Sequence, residues 1–90
     1  MKPIKLKSTI EKKIDAYSNR LIEISRFIHT NPEIGFKEYK SSEILIKELQ
    51  GLGFAVQRGT AELATAFKAE FSGKNGGPVI AFLAEYDALP

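Results

Sequence analysis

The stretch Val79-Ile80-Ala81-Phe82-Leu83-Ala84-Glu85-Tyr86-Asp87-Ala88-Leu89-Pro90 joins an apolar run to two carboxylates placed two positions apart. A run of this kind, with β-branched and aromatic members, reads as a strand buried on both faces. In α/β sheets ligands gather just beyond the carboxyl ends of such strands, which is where Glu85 and Asp87 fall. Extended backbone sends alternate side chains to opposite sides, so these two share a side. A strand buried on both faces needs neighbours on both flanks, and the rest of the chain offers few. The expectation is an α/β fold in which residues 1–90 are the amino-terminal piece of a larger enzyme.

Upstream, Ser72-Gly73-Lys74-Asn75-Gly76-Gly77-Pro78 is dense in turn formers. It predicts a hairpin that folds an alternating strand, Thr65-Ala66-Phe67-Lys68-Ala69-Glu70-Phe71, back on the buried one. Phe67, Ala69 and Phe71 share one face of that strand and Lys68 and Glu70 the other, the pattern of a half-exposed position. Phe54-Ala55-Val56-Gln57 reads as a further short strand, with a loop over 58–62.

Two helices precede the strands. Ser8-Thr9-Ile10-Glu11 has the capping-box form, which predicts a helix starting at Ser8. Ile10, Ile14, Tyr17, Leu21, Ile24 and Ile28 then recur at steps of four and three, and Phe27 widens the stripe. Pro32 disfavours helical geometry at Asn31, so this helix ends near His29-Thr30. The second helix is predicted from about Lys37 to Gln50, with Tyr39, Ser42, Leu45, Ile46, Leu49 and Leu52 on one face and Gly51 and Gly53 to end it. The predicted order is two helices followed by three strands of a mixed sheet. No internal linker or second domain is predicted within 1–90.

Composition narrows the class of protein. With 43% hydrophobic and 27% charged residues the chain is that of an ordinary globular domain, neither disordered nor disulfide-rich. The net charge of +2 owes most to Lys2, Lys5, Lys7, Lys12 and Lys13. No arginine cluster or aromatic platform accompanies them, which argues against nucleic acid. Charge interrupts Ile4 and Leu6, so no secretory signal core forms, and no run approaches the ~18 apolar residues of a membrane span. The absence of cysteine fits a cytoplasmic location and removes thiolate chemistry. Gly73-Lys74 beside Gly76-Gly77 fails the phosphate-loop spacing, because Lys68 stands where a glycine is required and Asn75 where a hydroxyl is. His29, the one histidine, lies at the end of the first helix, where the dipole favours positive charge, and its simpler role is structural.

Glu85 and Asp87 are different. Acidic groups directly after a buried strand are costly unless solvent, a cation or a donor meets them. They could bind a metal, hold a ligating histidine, act as a general base, or form a solvated loop, and the pair alone does not choose.

Three stretches, in order, carry a resemblance. Phe27-Ile28-His29-Thr30-Asn31-Pro32-Glu33-Ile34-Gly35-Phe36-Lys37-Glu38, then Leu49-Gln50-Gly51-Leu52-Gly53-Phe54-Ala55-Val56, then Ala84-Glu85-Tyr86-Asp87-Ala88-Leu89-Pro90 together resemble the start of the amidohydrolase branch of the aminoacylase and carboxypeptidase metallopeptidases. The ending is similar to that of the aminobenzoyl-glutamate hydrolase-like subgroup. The resemblance implies a zinc-exopeptidase-like α/β catalytic domain, two divalent metal ions, zinc or manganese, in the full-length enzyme, and homo-oligomers. It implies hydrolysis of the amide bond of N-acyl amino acids or small peptides.

By the same resemblance Asp87 matches an acidic residue that orients a metal ligand, and Glu85 matches a position that is a metal-binding histidine in other branches but acidic in this one. Glu85 is therefore expected only to line the site. His29 and Glu33 belong to the recognition pattern with no direct role implied. The family's His-Ala-Cys-Gly-His type segment and its later glutamate base fall past Pro90, so no metal ligand is assigned within this chain, none is expected to bind to it alone, and the 90 residues alone are expected to be inactive. The rival reading is a non-enzymatic α+β interaction module or enzyme remnant that self-associates.

Overall fold

The computed structural model describes residues 3–90. Helix α1 spans Pro3–Thr30 and helix α2 Tyr39–Gly51; strand β1 covers Ala55–Arg58, a short 3-10 turn Thr60–Glu62, and strand β2 Phe67–Glu70. At 1.5 Å per residue α1 is about 42 Å long, and it sets the longest dimension of the molecule, 44 Å.

Helix α1 starts before Ser8, which corrects the capping-box reading. Pro3 heads the helix, where its missing N–H costs nothing. Thr9 Oγ1 donates back to the Lys5 carbonyl at 2.9 Å, a contact that requires a helical turn across 5–9. The carboxyl end follows the sequence: α1 stops at Thr30, and the Asn31 N–H and side-chain amide both donate to the Phe27 carbonyl. Helix α2 ends on Gly53 in the left-handed region at φ 96°. There the Gly53 N–H donates to the Gln50 carbonyl and the Phe54 N–H to that of Leu49, both at 3.0 Å, the paired closure of a Schellman end.

The sheet departs from the prediction. It has two strands, antiparallel, with Val56 opposite Ala69 and Arg58 opposite Phe67. Strand β2 therefore returns on β1 across the 58–66 turn, which the Gly59 N–H closes on the Ala66 carbonyl at 2.9 Å. Directly opposed residues share a side, so Val56, Ala69 and Phe67 form the half-buried face beside α2, while Ala55, Gln57, Lys68 and Glu70 face solvent. Arg58, at the edge of the inner face, reaches Glu43 of α2 with two guanidinium bonds of 2.7 and 3.1 Å.

Residues 72–78 make no hairpin and Val79–Ala84 is not a strand. The run is nearly bare, with Val79 96% and Leu83 99% exposed. A strand buried on both faces exists only between neighbours that satisfy its backbone and cover its side chains. Here β1 and β2, four residues each, use each other, and nothing among the described residues flanks the run. The mixed three-stranded sheet is thus replaced by a two-stranded one, within the same α/β class.

The core is small. Ile46 of α2 and Ile24 of α1 are the buried apolar residues among those described, at 2% and 8% exposure. Arg20 ties the two helices at the surface, donating to Glu48 at 2.7 Å and to Glu23 at 2.8 Å. The amino-terminal half of the α1 stripe, Leu6, Ile10 and Ile14, remains about half exposed.

Candidate functional site

The α1–α2 connection supplies the floor of the site. Glu33 turns its carboxylate onto the first turn of α2, accepting from the Lys40 N–H at 2.9 Å and the Ser41 N–H at 2.7 Å. Helix starts leave such amides without partners, and their dipoles favour an anion. Burial works to raise the Glu33 pKa, but these amides and the nearby Lys40 charge outweigh it and hold the carboxyl below its ordinary range. Glu33→Gln keeps one acceptor and loses the charge, so at neutral pH it is expected to lower stability by less than the ~1 kcal/mol typical of a lost helix cap. A carboxyl depressed in the folded state stabilises fully above its unfolded value near pH ~4.3 and loses that contribution as pH falls through the lower folded value. Urea melts of both proteins at several pH values check this: the gap should close in acid.

Across this floor lies the end of the chain. The Ala88 N–H donates to the Glu33 carbonyl at 2.7 Å. Tyr86 stacks on Phe67 of β2, with centroids 5.8 Å apart and rings 28° from parallel, and its hydroxyl donates to the Thr65 carbonyl. Thr65, itself buried, donates its hydroxyl to Glu38 at 3.1 Å. Burial, and then the Glu38 charge, push the Tyr86 phenol pKa up, so the hydroxyl stays a donor.

Burial alternates along this stretch: Glu85 and Asp87 are exposed, Tyr86 and Ala88 half-buried. Both carboxylates are therefore open to solvent. His29 is exposed on the last turn of α1. Among the described residues no three His, Cys, Asp or Glu side chains come together as a set able to hold a metal ion. Sequence reading passed over Tyr86 and gave Glu33 no direct role. The signal for Tyr86 was available, since an aromatic between two outward carboxylates must point inward.

No family model matches the sequence. Comparison with curated proteins finds amide-bond hydrolases. Thermostable carboxypeptidase 2 of Saccharolobus solfataricus is 40% identical over 70 residues, 78% of this chain and 18% of its own length. One subunit of the p-aminobenzoyl-glutamate hydrolase of Escherichia coli is 41% identical over 80 residues, 89% of this chain and 16% of its own. The N-acyl-L-amino acid amidohydrolase of Geobacillus stearothermophilus is 32% identical over 85 residues, 93% and 22%. The chain spans about a fifth of the length of these relatives. Over most of its length the chain is thus homologous to amidohydrolases.

Proposed function

We propose that this chain is the amino-terminal portion of the catalytic domain of a metal-dependent amidohydrolase that cleaves the amide bond of N-acyl amino acids or small peptides, and that it is inactive alone. The observation that carries the reading is homology over most of the chain to hydrolases whose names share amide cleavage. Consistent with it, Glu85 and Asp87 are exposed, while Tyr86 and Ala88 tie the stretch around them to the rest of the chain.

Asp87 is read as the carboxylate that holds a metal ligand in orientation, and Glu85 as a residue lining the site. The metals, zinc or manganese, would polarise the scissile carbonyl and activate water. Their ligands lie outside the residues described. A cytoplasmic location and a homo-oligomeric enzyme complete the reading. No helix among the described residues is long and apolar enough to cross a membrane.

A chimera tests the function. Residues 1–90 replace the homologous segment of the thermostable carboxypeptidase, and amide hydrolysis is measured. Release of carboxy-terminal amino acids is the expected result. The self-associating module, which the uncovered α1 stripe and the bare 79–83 run favour, predicts a folded chimera without turnover.

A further inference from the structure

Residues 72–90 have no secondary structure, and among the described residues one backbone hydrogen bond, Ala88 to Glu33, ties them to the rest. One side chain of the segment does the same, Tyr86, through its hydroxyl on the Thr65 carbonyl and its ring on Phe67. A single hydrogen bond contributes little net of what its groups lose to water, and ordering the backbone of residues 85–88 costs more than it returns. The half-buried aromatic ring supplies the apolar area and the stack that the segment otherwise lacks.

Tyr86 lies between the two carboxylates, and in an extended backbone its neighbours on either side face away from it. We propose that Tyr86 is the positioning residue of the Glu85 and Asp87 pair: docked on Thr65 and Phe67, it holds the end of the chain in one extended course and presents both carboxylates on the opposite side. That the pair then serves amide hydrolysis rests on the function proposed above; the docking itself does not. Thr65 is in turn held by Glu38, just before α2, so the anchor point belongs to the α2 and β2 scaffold and not to the segment it restrains.

The test uses the 90-residue chain and backbone nuclear magnetic resonance, with Tyr86→Ala and Tyr86→Phe. In wild type the Ala88 amide should be protected from exchange and Glu85 and Asp87 more ordered than residues 79–83. Tyr86→Ala should bring Glu85 and Asp87 down to the order of 79–83 and abolish Ala88 protection, while β1 and β2 amides keep theirs. Tyr86→Phe keeps the ring and loses one hydrogen bond, so it should restore most of the order and speed Ala88 exchange roughly fivefold. Unchanged order in Tyr86→Ala overturns the proposal. So does parallel loss of β1 and β2 protection, which would make Tyr86 a general packing residue. Should Tyr86→Ala not fold, the Phe variant decides, and unchanged Ala88 exchange there is the overturning result. None of these readouts involves hydrolysis, so failure of the docking is distinct from failure of the amidohydrolase reading.

Discussion

Asp87→Ala in the carboxypeptidase chimera is expected to reduce turnover or bound metal about 10- to 100-fold, the usual cost of losing a carboxylate that orients a ligating imidazole. Its melting should change little, because Asp87 is exposed in this chain. Surface substitutions away from special features usually fall within about ±0.5 kcal/mol. Asp87→Asn keeps the size and one acceptor but removes the charge, so it should retain more metal than Ala does. Glu85→Gln should cost less than Asp87→Ala if Glu85 lines the site, and as much or more if it touches metal. Metal content, turnover and thermal melts of these variants separate a site role from a folding role. Asp87→Ala with both metal and turnover at wild-type levels would reduce Asp87 to a loop carboxylate.

Ile46→Ala is expected to have the largest effect on stability. Ile46 is 2% exposed and sits on the face of α2 that holds Ser42, both buried. Truncation removes three carbons and leaves a cavity, which costs about 2–4 kcal/mol in a well-packed site. A 90-residue domain with only Ile24 and Ile46 as buried apolar residues among those described has little reserve. At roughly 4–8 °C per kcal/mol for a domain of this size, the melting temperature should fall by more than about 10 °C. Ile46→Val, which removes one methyl, should cost about 1 kcal/mol. Circular dichroism melts of the three proteins measure this, and equal melting of Ile46→Ala and wild type would place the core elsewhere.

Local rules were legible where they acted alone. Pro32 ended α1 and Gly53 closed α2 because a fixed ring and a free φ act whatever surrounds them. The alternation of Phe67, Lys68, Ala69 and Glu70 appears directly in their burial. Ser8 misled because a capping box and a helix interior share composition, and the favourable Pro3 start lay upstream.

The third strand misled for a different reason. An apolar run states what it needs, burial on two faces, but not whether the chain supplies it, and here Val79 to Leu83 stand in solvent. The site divides in the same way. The exposure of Glu85 and Asp87 is the ordinary state of unpaired carboxylates and was legible from their charge. The Tyr86 contact with Thr65 joins residues 21 apart and depends on how β2 sits beside α2, which no local pattern encodes.

The most direct measurement is turnover of the metal-loaded chimera carrying residues 1–90 in the thermostable carboxypeptidase, against unaltered host and with a chelator as control. The account predicts chelator-sensitive release of carboxy-terminal amino acids that falls on Asp87→Ala. A soluble chimera that melts cooperatively, binds its metal and releases none would contradict it.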